Sequence, residues 1–428
     1  MHLLVIGAGV SGKAAVGLAG RVGDSVIVYD VKPGAGRELR DTGTTVVYGD
    51  WSADLLDNTD AVVTSPGVPE GAQPFQDAAE RDIPVWSEVE YAVRHVRAPV
   101  IAVTGTNGKT TVTTLIADMA TADGKRSIAA GNVGVALSEI ADQDWDLVVV
   151  ETSSFQLRFI DGFHPVVAVV LNVADDHLDW HGTYKKYAAA KARIFENMTN
   201  SDMVVFDLDD PGARALVETS PASALGVSGT WLPGSGYGVN NGNLIVGDLE
   251  ISTRDLHVGD ASYLVNLCAA GAAAQASGIG SSGIEQVIRD FTPGRHRREV
   301  VLVQDDVVWI NDSKATNPHA ALAAISAYES VVLIAGGRNK DLDIRPLATA
   351  PKVKYLIAIG ETATELVGAR GDGTIASSLS DAIEEAARVV ASGDVVLLAP
   401  GCTSFDMFAD YQARGDQFRD LVREKFRS

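Results

Sequence analysis

At 428 residues, with 46% hydrophobic and 21% charged residues, the chain can form two or three domains that each bury a core, which excludes wholesale disorder. A net charge of −21 disfavours nucleic acid as a partner, so any anionic ligand has to be met by locally placed cations and helix N-termini. Cys268 and Cys402 show neither a disulfide framework nor metal-ligand spacing, no apolar run approaches the roughly 18 residues of a membrane span, and no basic leader opens the chain; a cytoplasmic protein with no membrane partner is expected.

Leu3 to Ile6 is an apolar run leading into Gly7-Ala8-Gly9-Val10-Ser11-Gly12, an alanine-rich helical pattern, and a second run, Ser25 to Asp30. A Gly-x-Gly-x-x-Gly after a strand, with an acid about 20 positions on, is the dinucleotide fingerprint. The same geometry suits NAD(P), another nucleotide, or no ligand. The run Asp60 to Thr64 ends at Ser65-Pro66-Gly67, a strand-end loop or a plain turn. Residues 94–99, closed by Pro99, read as a linker, and the first domain is set at 1–97.

The second domain, 98–294, opens on an apolar strand, Val100 to Val103, followed by Thr104-Gly105-Thr106-Asn107-Gly108-Lys109-Thr110 and a helical stretch. Such a turn offers backbone N–H groups and a helix N-terminus to phosphate oxygens, with Lys109 as a point charge and the Thr110 hydroxyl as a magnesium ligand. The eight-residue form of this motif would need Gly at Val103, so this is a shortened variant of a triphosphate site. Gly131-Asn132-Val133-Gly134 follows, then the strand Leu147 to Val150, whose end carries Glu151-Thr152-Ser153-Ser154-Phe155-Gln156-Leu157. A carboxylate there is either a magnesium ligand or a solvated glutamate. Pro165 to Leu171 forms another strand pattern running into Asn172-Val173-Ala174-Asp175-Asp176-His177-Leu178-Asp179, and the helical stretch from Tyr184 to Glu196 sets Lys191 among alanines, its burial left open.

From 200 to 260 the pattern weakens to short β-like runs, with a hairpin signal at Asn240-Asn241-Gly242, before an alanine-rich helix over 263–277 that contains Asn266. Phe291 to Arg298 is a basic joint marked by Pro and Gly, from which the third domain, 295–428, begins. That domain repeats strand–helix alternation, which implies a mostly parallel sheet. Its strand ends hold Asn311-Asp312-Ser313-Lys314-Ala315-Thr316-Asn317, Gly336-Gly337-Arg338-Asn339-Lys340 and Pro400-Gly401-Cys402-Thr403-Ser404. The fold class is therefore α/β: a Rossmann-like N-terminal domain, a central P-loop ATPase-like domain and a Rossmann-like C-terminal domain.

The loops at 104–110, 151–157, 172–179, 296–299, 311–317 and 336–340, in that order, resemble those of the Mur ligases, over essentially the whole chain. The resemblance implies an ATP-dependent ligase, of the branch that joins D-glutamate to UDP-N-acetylmuramoyl-L-alanine, acting as a monomer with ATP and Mg2+. It implies ATP contacts from Gly105, Thr106, Asn107, Gly108, Lys109, Thr110, Thr111, Asn266, Arg297 and Asp312, and metal ligands Thr110, Glu151, His177 and Lys191, with Lys191 carbamylated. The UDP substrate would meet Val10, Ser11, Asp30, Lys32, Gly67 and Asn132, and the amino acid Lys314, Thr316, Lys340, Ser404 and Tyr411. The chain departs from the family at Ser262-Tyr263, where a His-Asn pair is usual. Rival readings are a sister ligase for L-alanine or a dibasic amino acid, a folate polyglutamate synthetase, an NAD(P) oxidoreductase using residues 7–30, and a non-catalytic nucleotide switch.

Overall fold

A computed structural model describes residues 1–132 and 134–427; Val133, within the loop 131–134 named above, and Ser428 lie outside them. Two compact units make up the chain. The first contains Met1–Val173, Lys185–Gly259 and Tyr263–Phe291; the second contains Ala174–Tyr184, Asp260–Ser262 and the residues from Thr292 onward.

The first unit opens with a five-stranded parallel sheet in the order Thr45–Tyr48, Ser25–Asp30, His2–Ile6, Ala61–Thr64, Val85–Ser87. The chain winds to one side of His2–Ile6 and then to the other. The glycine loop 7–12 and the Ser65 loop therefore share the sheet's carboxyl end at a topological switch point. Gly12 lets the helix Val10–Val22 sit close to the sheet, because a Cβ there would overlap the Gly7 carbonyl oxygen.

The second sheet has six parallel strands in the order Ser223–Val227, Met203–Asp207, Val167–Val170, Val100–Thr104, Leu147–Glu151, Ser127–Gly131. The central strands are buried along their whole length, which is why they read as unbroken apolar runs. Residues 203–227, where the sequence pattern weakens, extend this sheet by two strands around the helix Pro211–Val217. Ser223–Val227 is a half-exposed edge strand, and that blurs its pattern. The hairpin expected at 240–242 is present, with φ of 49° at Asn241 and 78° at Gly242, inside a three-stranded antiparallel sheet over Tyr237–Ser252. The sequence pattern had not marked the helix Ser281–Asp290.

Between the two parallel sheets lies the helix Glu88–Val93, capped by Ser87, whose Oγ accepts from the Glu90 N–H at 3.2 Å. It carries two buried acids. Glu90 accepts from the backbone N–H groups of Asp161, Gly162 and Phe163 at 3.0, 3.0 and 2.9 Å and pairs with Arg94 at 2.7 Å. Glu88 accepts from the Ser138 N–H at 2.6 Å, and burial pushes its carboxyl pKa up. Arg21 adds a two-pronged contact to Asp142 at 2.9 Å.

The second unit is built on a six-stranded sheet in the order Glu299–Gln304, Val307–Asn311, Val395–Leu398, Val331–Gly336, Val353–Ile359, Thr374–Ile375. Its first strand, unmarked in the sequence pattern, runs antiparallel as an edge hairpin, and the others are parallel. Apolar clusters cover both faces of the sheet. Among the described residues, no helix is long and apolar enough to cross a membrane.

Two stability effects follow from buried acids of the first unit, Glu90 and Asp207 at the end of the strand Met203–Asp207. Glu90→Ala leaves three backbone N–H groups without their acceptor, so thermal unfolding of the first unit should shift downward by the equivalent of ~3 kcal/mol; an unchanged transition would show that the clamp is energetically idle. Burial, reinforced by the charges of Asp209 and Asp210, pushes the Asp207 carboxyl up to about 7. Its folded-state pKa is raised, so the stability it contributes is present at low pH and is lost as pH rises through about 7. Asp207→Asn should therefore melt higher than the parent at pH 8 and show a shallower decline between pH 5 and 8; parallel melting curves for the two proteins would count against this.

Candidate active site

The 104–110 loop leaves the central strand Val100–Thr104 and enters the helix Lys109–Ala122, as its sequence requires. Gly108 caps that helix at φ 85°, where a Cβ would lie 2.7 Å from Asn266 Oδ1 and 2.9 Å from Leu171 Cδ1. Only glycine fits both the conformation and the space. Asn266 is thus placed against the loop. With no side chain at the cap, the first-turn N–H groups face outward, the arrangement that binds anions. The Lys109 ammonium folds back on the carbonyls of Gly105 and Thr106, both at 3.0 Å. Asn172, not singled out by sequence, holds the loop from outside: its Oδ1 accepts from the Asn107 N–H at 2.7 Å and its Nδ2 donates to the Asn107 carbonyl at 3.2 Å. An asparagine directly after an apolar strand was the available signal. Thr110 and Thr111 are half-buried in the helix's first turn.

Glu151 is the last residue of the strand beside this loop and pairs in register with Val103. It is buried, its Oε1 accepts from Asn132 Nδ2 at 2.9 Å, and its Oε2 is buried with no hydrogen-bond partner. A buried carboxylate oxygen left open next to a phosphate loop fits a hard divalent cation. Among the described residues, no group of three or more His, Cys, Asp and Glu forms a cage. Asn132, expected at the UDP substrate, is engaged with Glu151 here. Lys191 proves to be buried, 1% exposed: its Nζ donates to the Gly105 carbonyl at 2.8 Å and lies 4.7 Å from the Tyr187 ring centre. The Tyr187 hydroxyl in turn is 2.9 Å from Thr106 Oγ1. Lys109 and Lys191 therefore converge on the same carbonyl.

At the N-terminal glycine loop, Asp30 Oδ2 accepts from the Ala8 N–H at 2.8 Å and Oδ1 from the Lys32 N–H at 2.9 Å, so this carboxylate fixes the loop. Val10, Lys32 and Gly67 are exposed and Ser11 is half-buried. Ser65 Oγ donates to the Gly7 carbonyl at 3.2 Å, joining the two loops.

The second unit gathers the other predicted residues at strand ends. Asp176, which sequence reasoning did not single out, is buried; its Oδ1 is 3.0 Å from Lys340 Nζ and its Oδ2 accepts from Asn317 Nδ2 at 3.1 Å. Burial alone would raise its pKa, but the Lys340 ammonium and the neighbouring His177 outweigh it and hold the carboxyl below its usual range. His177 follows at φ 54°, its ring 3.7 Å from Asp176 Oδ2. Burial pushes Asp312 up to about 6, against the pull of Arg298 and Arg297. Arg298, one position beyond the predicted Arg297, gives its backbone N–H to Asp312 at 3.2 Å and its guanidinium to Asp260 at 2.6 Å and Ser262 Oγ at 3.0 Å. Ser262, one of the two departures from the family pattern, is thus occupied. Lys314 Nζ lies 5.1 Å from the Tyr411 ring centre, Thr316 is half-buried nearby in the same loop, and Ser404 is buried.

Known families match in three places: "Mur ligase MurD-like, N-terminal domain" over residues 1–87, "Mur ligase middle domain" over 103–229, and "Mur ligase, glutamate ligase domain" over 296–402. The UDP-N-acetylmuramoylalanine--D-glutamate ligase of Desulfitobacterium hafniense (strain Y51) is 40% identical over 444 aligned positions, covering 99% of this chain and 98% of the relative. Among solved structures, MurF from Acinetobacter baumannii superposes with a TM-score of 0.63 at 14% identity, covering 93% of this chain and 91% of its own. MurF ligase from Thermotoga maritima, in complex with ADP, gives 0.61 at 16% identity, covering 94% and 96%. With matches to all three domains in order and 40% identity along the whole length, the chain belongs to the Mur ligase family.

Proposed function

We propose that this enzyme joins D-glutamate to UDP-N-acetylmuramoyl-L-alanine at the expense of ATP, in cytoplasmic peptidoglycan precursor synthesis. The observation that carries the reading is full-length similarity to ligases of that name, on a chain whose phosphate loop has the buried, half-satisfied Glu151 beside it. The division into domains at 1–97, 98–294 and 295–428, and a monomeric state, belong to the same reading.

ATP would lie on the N-terminus of the helix Lys109–Ala122, its phosphates met by loop N–H groups and by Lys109, with Asn266, Arg297 and Asp312 toward the nucleoside. Thr110, Glu151, His177 and a carbamylated Lys191 would hold magnesium, which supplies charge neutralisation on the phosphates when bound. Carbamylation turns the Lys191 ammonium into an anionic oxygen donor. The UDP portion is assigned to the glycine loop with Val10, Ser11, Asp30, Lys32 and Gly67. Lys314, Thr316, Lys340, Ser404 and Tyr411 are assigned to the amino acid.

The reaction follows from these placements. The alanyl carboxylate of the precursor attacks the γ-phosphorus of ATP, ADP leaves, and an acyl phosphate forms. The neutral D-glutamate amine then adds to the acyl carbon, and the tetrahedral adduct collapses with loss of inorganic phosphate and of the amine proton. No protein nucleophile takes part. Catalysis comes from holding the reactants in line and from neutralising developing charge with Lys109 and its neighbours.

Phosphate release measured with ATP, magnesium and the precursor should depend on D-glutamate and not on L-alanine, L-lysine or diaminopimelate; release indifferent to D-glutamate would overturn the assignment. Lys191→Ala should lose activity by about a hundredfold or more, partly restored by short-chain carboxylates that stand in for the carbamate. Full activity in that variant would remove the carbamate from the mechanism.

A further inference from the structure

The site in the second unit contains one charged side chain that no motif and no assigned role accounts for. Arg414 lies in the first turn of the helix Tyr411–Lys425 and is 1% exposed. Its Nε donates to Ser313 Oγ at 2.9 Å, its Nη2 to the Ser313 carbonyl at 2.8 Å, and its Nη1 and Nη2 both to the Cys402 carbonyl at 3.3 Å. The Ser313 hydroxyl in turn donates a hydrogen bond to the Tyr411 carbonyl at 2.8 Å. One guanidinium therefore ties together three segments: the loop carrying Lys314 and Thr316, the loop carrying Ser404, and the helix start carrying Tyr411.

All four of these bonds end on neutral oxygens. Among the described residues, no carboxylate forms an ion pair with Arg414; Asp406 acts on it by charge alone, and the effect of burial is larger. Burial lowers its pKa to about 10, so it remains protonated at neutral pH. A buried cation without a counter-ion is costly, and a well-packed apolar side chain would ordinarily be more stable in its place. Lys314, beside Tyr411 in the segments Arg414 holds, adds a second cation, while Asp406 and the helix cap Asp410 are the nearby acids.

Resting on the D-glutamate reading above, we propose that Arg414 is a positioning residue for the amino-acid substrate. It sets the 313–316 and 402–404 loops against the helix start, and its charge is neutralised only when the two carboxylates of the amino acid arrive. Arg is required because a planar fork can reach Ser313 and Cys402 at once, whereas a lysine ammonium satisfies one loop at a time.

Three variants test this by steady-state kinetics on the full chain. Arg414→Lys keeps the charge and loses the bridge; Arg414→Met keeps the bulk and loses the charge. Ser313→Ala removes the hydroxyl between Arg414 and the Tyr411 carbonyl, and it reads out the same property if either Arg414 variant fails to fold. KM for D-glutamate should rise about tenfold or more in each variant that folds, as expected for losing charge-assisted bonds, with KM for ATP and for the UDP precursor unchanged. Equal rises in all three KM values would mark Arg414 as merely structural, and an unchanged KM for D-glutamate would overturn the proposal. If the parent enzyme itself shows no D-glutamate-dependent phosphate release, it is the functional reading that fails, and the role proposed for Arg414 falls with it.

Discussion

A chain with net charge −21 that holds phosphates and carboxylates works against its own field, and it can do so only where backbone N–H groups and a few cations are concentrated. The helix N-terminus at Gly108 is the first such place, and its cap has no side chain to compete for the exposed N–H groups. Two lysines stand beside it. Lys109 and Lys191 both donate to the Gly105 carbonyl, and Lys191 also lies over the Tyr187 ring. A carbonyl or a ring face fixes where an ammonium stands. Surface pairs such as Arg21 with Asp142, by contrast, neutralise each other and serve attachment.

The acidic partner of this loop obeys the complementary rule. Glu151 ends a fully buried strand, where an ionised carboxylate is tolerated only if its oxygens are satisfied. Asn132 satisfies one of them. The other is buried without a hydrogen-bond partner beside the phosphate loop, an arrangement that fits a cation. Strand register makes the arrangement obligatory: Glu151 pairs with Val103 on one side and with Gly131 on the other, so the carboxylate, the phosphate loop and the Asn132 loop all leave the same end of the sheet.

Much of this was legible in the sequence, because the strands are buried and the loops are punctuated. Four-residue apolar runs closed by glycine or by a carboxylate located the central strands and the phosphate loop, and the Asn-Gly signal located the hairpin at 241–242. Edges and second partners were not legible. Ser223–Val227 and Glu299–Gln304 are edge strands whose half-exposed faces break the apolar run. Asn172, Asp176, Arg298 and Arg414 matter through what they touch, and those contacts come from segments far apart in sequence: 65 positions separate Asn172 from Asn107, and 101 separate Arg414 from Ser313. Asn132 carried a motif signal, but the signal could not tell which neighbour its amide would reach.

Glu90 and Arg414 are both fully buried charges, and they solve the same problem in opposite ways. Glu90 receives three backbone N–H groups and an arginine, so its charge is spent inside the protein and the segment it binds is fixed whether or not a ligand is present. Arg414 donates to two carbonyls and a hydroxyl, so its geometry is fixed while no carboxylate pairs with it among the described residues. The first arrangement suits a joint between sheets that has only to hold. The second suits a site that has to recognise an anion, since the electrostatic cost of the empty state is recovered only by a ligand of the right sign. Burial of a charge therefore does not by itself distinguish structure from function; whether its partners are charged or merely dipolar does.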